Sequence, residues 1–175
     1  MNIFMYDMDG LTMKNNDALH ANLLTFRRAD MGDIELLVAT RVEFFAERLT
    51  EMTDDEKTDM NARLKSYFES AMGDGSFVAF LAFDGERLAA TSGVNFYTNP
   101  PNPRNLTGRT AYISNMYTKP EYRGMGAATR LFDMTVGEAR ARGCGKATLV
   151  ATEMGRPIYE KYGFTAPNNV MDYNF

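Results

Sequence analysis

The feature that most constrains this chain is a turn. Arg123-Gly124-Met125-Gly126-Ala127-Ala128 stands between an apolar stretch, Ala111–Thr118, and a strongly helical stretch that runs to Arg142. Gly124 and Gly126 let the backbone turn sharply and come close to a ligand. On the helix that follows, Ala128, Leu131, Phe132, Thr135, Val136 and Ala139 share one face, and Gly143 ends it. The free amides of the first helical turn, with the helix dipole behind them, favour an anion such as a pyrophosphate. A side chain at Gly126 would occupy the space such a phosphate needs. Two glycines alone also suit an ordinary strand-to-helix connection. Two other nucleotide loops do not fit. A dinucleotide fingerprint needs a third glycine where Thr129 stands, and no Gly-Lys-Ser/Thr triplet follows to make a P-loop.

The elements around the turn alternate. Leu24 to Arg28 reads as a short strand. Asp33 is placed to cap a helix from Ile34 to about Met52, with Ile34, Leu37, Val38, Arg41, Phe44 and Phe45 at helical spacing. Thr53 and Glu56 form a capping-box pattern that opens a second helix to about Met72. Phe77–Phe83 and Arg87–Tyr97 read as strands joined by the turn Asp84-Gly85-Glu86. Pro100, Pro101 and Pro103 exclude a central strand and mark a stiff loop. Ala147–Ala151 reads as a buried strand, Gly155–Tyr162 as a short helix and Val170–Phe175 as a last strand. The pattern is mixed α/β, with one core in one domain of ordinary size.

Charge is uneven along the chain. The net charge is −4, which argues against nucleic acid as a general partner. Between Arg104 and Lys161 there are 10 basic and 5 acidic residues, against 9 basic and 18 acidic elsewhere. The basic part suits an anionic ligand, and the acidic remainder suggests a cationic one; plain solvated surface would read the same way. No stretch approaches the roughly 20 apolar residues that span a bilayer, so no membrane partner is expected. The one cysteine, Cys144, cannot form an internal disulfide, which agrees with a reducing compartment; the expected location is the cytoplasm.

The loop and its flanks resemble the GNAT N-acetyltransferases. Their acyl-CoA loop reads Arg/Gln-x-x-Gly-x-Gly/Ala, matched by Arg123 to Ala128, and the approach from Asn115 to Tyr122 is similar to the family's strand ending in Pro and Tyr-Arg-Gly. Downstream, Ala151 to Phe164 resembles a second family signature that ends Tyr-Glu-Lys-x-Gly-Phe. The resemblance covers Leu24 to Phe175 in element order. It implies a GNAT fold, a mixed and mostly antiparallel central sheet flanked by helices, in a domain from 24 to 175 with residues 1 to 23 as an extension. It implies acetyl-CoA as co-substrate, no metal, and transfer of the acetyl group directly to the amino group of a small molecule or peptide. Pantetheine is expected at Met116, Tyr117 and Thr118. The pyrophosphate is expected on the amides of Gly124, Met125, Gly126, Ala127, Ala128 and Thr129, with Arg123 adding charge or serving structure. A homodimer is left open, as is the acceptor.

Transfer by this route needs a neutral amine, a polarised thioester carbonyl and a stabilised leaving thiolate. A backbone amide near Tyr117 or Thr118 can donate to the developing oxyanion. Tyr159 stands where these enzymes often place the tyrosine that protonates the departing sulfur, and a phenol is protonated at neutral pH. Tyr159 also suits an amphipathic core position on a short helix, and Tyr162 is the substitute. Glu43, Glu47 and Glu153 are the carboxylates that could take the amine's proton, though surface carboxylates look the same in sequence. Cys144, between two glycines, reads as an inert thiol because no base is evident beside it. A non-catalytic acyl-CoA-binding module would keep the same loop.

A competing motif lies at the start. Ile3-Phe4-Met5-Tyr6-Asp7-Met8-Asp9-Gly10 resembles the first motif of haloacid-dehalogenase-type phosphatases, with Asp7 as nucleophile and Asp9 as acid/base. That chemistry needs a later lysine and a distal acidic pair on a parallel sheet. The chain after Leu24 follows the acetyltransferase order and leaves too few residues for such a domain.

Overall fold

Phe77–Asp84 reads Phe-Val-Ala-Phe-Leu-Ala-Phe-Asp, apolar at seven successive positions, so a strand here must bury both of its faces. The computed structural model describes residues 24–48, 52–166, 171 and 173. In it this strand, β2, follows β1 (Thr25–Arg28), α1 (Ile34–Ala46) and α2 (Asp54–Gly73). After it come β3 (Arg87–Thr98), β4 (Arg109–Thr118), α3 (Ala127–Ala141), β5 (Lys146–Leu149) and α4 (Arg156–Lys161). The sheet order is β1-β2-β3-β4-β5. Neighbours are antiparallel except β4 and β5, which run parallel. This is the mixed, mostly antiparallel sheet expected from the sequence.

Alternation along β2 splits the core in two. Val78, Phe80 and Ala82 face Leu131, Phe132 and Ala139 of α3 and Tyr159 of α4. Phe77, Ala79 and Leu81 face Leu37 and Val38 of α1 and Leu64 and Phe68 of α2. Helices therefore lie on both faces, and Phe77 to Ala82 of β2 are buried throughout.

The capping box at α2 forms as read: the Glu56 N–H donates to Thr53 Oγ1 at 3.3 Å and the Thr53 N–H donates to Glu56 Oε2 at 2.8 Å. At α1 the expectation needs correction. Asp33 stands at the helix start but makes no cap bond. Its carboxylate instead accepts two bonds from Arg27, at 2.6 and 2.7 Å, and one from the Asp30 N–H. Asp30 caps a short 3-10 turn, Met31–Asp33, that leads in. A strong charge-assisted fork outcompetes a neutral cap for the same carboxylate. α1 also ends at Ala46 rather than near Met52. The expected last strand lies largely outside the described residues, and Met171 and Tyr173 carry no strand assignment. Asp7, Asp9 and the whole of 1–23 also lie outside the described residues.

Candidate active site

The site begins where the sheet comes apart. β5 pairs with β4 only from Thr110↔Lys146 to Ile113↔Leu149, yet β4 continues to Thr118. The register between β3 and β4 slips there: Gly93 faces Ser114 but Thr91 faces Tyr117, so Ser92 opposes both Asn115 and Met116. Asn115 adopts a left-handed φ of +51°, which asparagine tolerates better than most residues. Beyond this bulge, the Lys119 N–H donates to the Ala89 carbonyl at 2.9 Å. The two-residue alternation of an antiparallel ladder then turns the backbone of Tyr117 toward β3 and that of Thr118 toward the gap. Consistent with this, the Thr118 carbonyl accepts from Arg123 Nε at 3.0 Å.

Past the end of β4, a 3-10 turn at Pro120–Tyr122 leads into the glycine loop. Gly124 has φ +77° and Gly126 φ +79°, both in the region that side chains rarely enter. Gly126 is the N-cap of α3 and offers no side-chain cap, so the first-turn amides at Ala127, Ala128 and Thr129 remain available to a ligand. These residues line a cavity of about 400 Å3 together with Met116, Tyr117 and Thr118. The opposite wall comes from the end of α1 and from the α4 region. The structure thus brings together Arg123, Gly124, Gly126 and the three first-turn residues as read from the sequence. Met125 belongs to the same loop but lies off the cavity wall.

Tyr159 joins the far wall. It is 6% exposed, with its ring 5.1 Å from that of Phe132 and 6.3 Å from that of Phe164. Its hydroxyl has no hydrogen-bond partner among the described residues, and burial pushes its pKa up, an effect that Arg48 opposes. A Cβ on Gly155 would sit 3.1 Å from that hydroxyl, so glycine is what lets the phenol occupy its position. Tyr162 instead packs edge-on against Phe132 at 4.8 Å, away from the cavity-lining set.

Glu47, just past the end of α1, closes the site on the other side. Its carboxylate accepts from Tyr117 Oη at 2.6 Å and from Arg123 Nη2 at 2.6 Å. The Tyr117 hydrogen bond, then that from Arg123, hold its pKa below the ordinary carboxylate value, while burial and Glu47 push the Tyr117 phenol up. A carboxylate so occupied is a poor base. Arg123 likewise donates to Glu47 and to the Thr118 carbonyl. Glu43 lies 3.4 Å from Lys119, and Glu153 is exposed. Arg48, over the Phe44 ring at 4.8 Å, and Gly155 also line the cavity and were not singled out from the sequence. The signal for Arg48 was hidden because the expected helix ran on past it. Cys144 is half-buried with a raised pKa, so its thiol stays protonated.

A sheet splayed between β4 and β5, with an uncapped glycine-entered helix at the end of the gap, defines the class of acyl-CoA-dependent acyltransferases. The family model described as the Acetyltransferase (GNAT) family matches residues 40–164, and the chain belongs to this family. A predicted acetyltransferase from Clostridium acetobutylicum, solved with acetyl-CoA, is 36% identical, covering 86% of this chain and 96% of that one with a TM-score of 0.78. A GCN5-related N-acetyltransferase from Ralstonia eutropha is 26% identical, with coverages of 87% and 98% and a TM-score of 0.77. Glucosamine-6-phosphate N-acetyltransferase from Arabidopsis thaliana shares the fold at 17% identity and a TM-score of 0.65. No curated protein matches the sequence. Among the described residues, no helix is long and apolar enough to cross a membrane.

Proposed function

We propose that this acetyltransferase moves the acetyl group of acetyl-CoA directly to an amino group, with Tyr159 as general acid and the Thr118 amide as oxyanion donor. The observation that carries this reading is the convergence of three separate segments on one cavity. The amides at the start of α3 suit a pyrophosphate. The open edge of β4 suits the two amide groups of pantetheine, which would pair there as a strand does. The Tyr159 hydroxyl, unpaired and kept protonated by burial, borders the same space.

The chemistry balances as follows. The acceptor amine, having lost its ammonium proton to solvent, attacks the thioester carbonyl; a C–N bond forms as the C–S bond breaks. Negative charge on the carbonyl oxygen is met by the Thr118 N–H, and the departing thiolate takes the Tyr159 proton. The second proton of the amine leaves to water, which also restores Tyr159. Preorganised donors of this kind typically contribute about 3 kcal/mol each.

The test is release of free thiol from acetyl-CoA over a panel of amines, run beside calorimetry of acetyl-CoA binding. Micromolar binding with amine-dependent thiol release is expected. Binding without release for any amine would leave a carrier module, and absence of binding by folded protein would remove the assignment.

A further inference from the structure

On the α1/α2 face of the sheet, one helical turn from the cavity, lies a cation with no carboxylate partner among the described residues. Arg41 projects from α1 over the Phe45 ring at 5.0 Å. One guanidinium nitrogen donates to Asn115 Oδ1. Among the described residues no carboxylate pairs with it, and the groups that act on it electrostatically are the phenols of Tyr112 and Tyr67. Asn115 adds a second donor, its Nδ2, which is buried with no partner among the described residues. The corner therefore sets a guanidinium and an amide donor among neutral groups, with no carboxylate among the described residues. A partly desolvated guanidinium left without an anion is costly, and an oxyanion arriving there offsets that cost.

The corner is continuous with the transfer site. Arg41 lies three residues, about 4.5 Å along the helix axis, from Phe44 on the cavity wall. Asn115 directly precedes Met116 on the same wall. Tyr67 and Tyr112 are 41% and 37% exposed, so the approach is open to solvent.

We propose that the acceptor is an amine that also carries an oxyanion, carboxylate or phosphate, and that Arg41 receives that group while the amine reaches the end of β4. This rests on the acetyl-transfer reading and names its substrate class. It runs against the cationic acceptor suggested by the acidic excess outside 104–161. The local groups decide. Glu43 near the end of α1 and Glu47 just past it are already paired, with Lys119 and with Arg123 and Tyr117 respectively. Exposed acids farther off are screened within about 8–10 Å at ordinary ionic strength.

The experiment compares matched acceptors with the full chain: the common amino acids against their amides, and O-phosphoethanolamine and glucosamine 6-phosphate against their unphosphorylated amines, with spermidine as cationic control. The expected result is a kcat/KM about tenfold to a hundredfold higher for the anionic member of at least one pair, the range of one charge-assisted hydrogen bond. Whichever pair responds separates carboxylate from phosphate. Arg41→Gln should erase the preference through KM, with kcat and acetyl-CoA affinity retained, and Arg41→Lys should restore part of it. If Arg41→Gln fails to fold by circular dichroism, Asn115→Asp serves instead, because it sets a carboxylate against Arg41 in the same shape and should erase the preference equally. If acetyl-CoA binds but no anionic amine outperforms its neutral partner, or if the variants slow all acceptors alike, the proposal is overturned. Loss of acetyl-CoA binding in the wild type would instead overturn the acetyl-transfer reading.

Discussion

Tyr159 is held by its neighbours rather than by its own hydroxyl. Phe132 and Phe164 fix the ring and Gly155 leaves room for the oxygen, so the proton stays on a phenol at the cavity wall that has no hydrogen-bond partner among the described residues. Tyr159→Phe keeps that packing and removes only the proton donor. It should lower kcat about a hundredfold, the low end for a general acid, with acetyl-CoA affinity by calorimetry unchanged; equal turnover would take Tyr159 out of the mechanism. The sign of the pKa displacement predicts a pH profile as well. Because burial raises the phenol above its usual value of 10.0, it remains protonated throughout the neutral and mildly alkaline range. The rate should climb as the acceptor ammonium loses its proton, without a falling limb below about pH 10. A falling limb nearer pH 8 that vanishes in Tyr159→Phe would contradict this.

At the scale of elements, two termini matter. The start of α3 depends on Gly126 at φ +79°, where a side chain strains the backbone by about 1–2 kcal/mol and would crowd the proposed pyrophosphate position. Gly126→Glu should reduce acetyl-CoA binding below detection while far-UV circular dichroism stays near wild type; retained affinity would move the pyrophosphate elsewhere. The start of α1 depends on the Asp33–Arg27 fork, which ties the helix to β1. The Arg27 hydrogen bonds, foremost, lower the Asp33 pKa below its ordinary 3.8. The sign follows from linkage: this stability is present above the unfolded value and is lost as pH falls through the folded one. Asp33→Asn should cost about 1–3 kcal/mol at neutral pH, and the gap in urea midpoint from wild type should narrow progressively as the pH falls below 3.8. A gap that persists in acid would mean the carboxylate is not its source.

At the scale of the molecule, the two cores have different relations to function. Phe132 and Phe68 are both essentially unexposed, on opposite faces of the sheet. Truncating either to alanine should cost about 3–5 kcal/mol. Only Phe132→Ala removes the ring that Tyr159, Tyr162 and Phe164 share, so only it should also depress kcat at temperatures where both variants remain folded. A parallel loss of kcat in Phe68→Ala would mean the cores are not functionally separate.

Local chemistry made much of this legible before any coordinates. The capping box placed the start of α2, helical spacing placed α3, the apolar run from Phe77 placed β2 as a strand, and the glycines at 124 and 126 marked the turn into α3, because each of these is settled by residues adjacent in sequence. Contacts distant in sequence were not legible. The pairing of Glu47 with Tyr117 and Arg123 joins positions some seventy residues apart. It turns a candidate base into a clasp. The Asp33 carboxylate could be read as a cap only until Arg27 was seen to take it. That Arg41 meets no carboxylate among the described residues has no sequence signature at all, since it depends on everything folded around it. The chain order thus determined the fold and the glycine-marked turn into α3, whereas the tertiary structure decided which charges are spent on holding the site together, because those pairings join segments far apart in sequence.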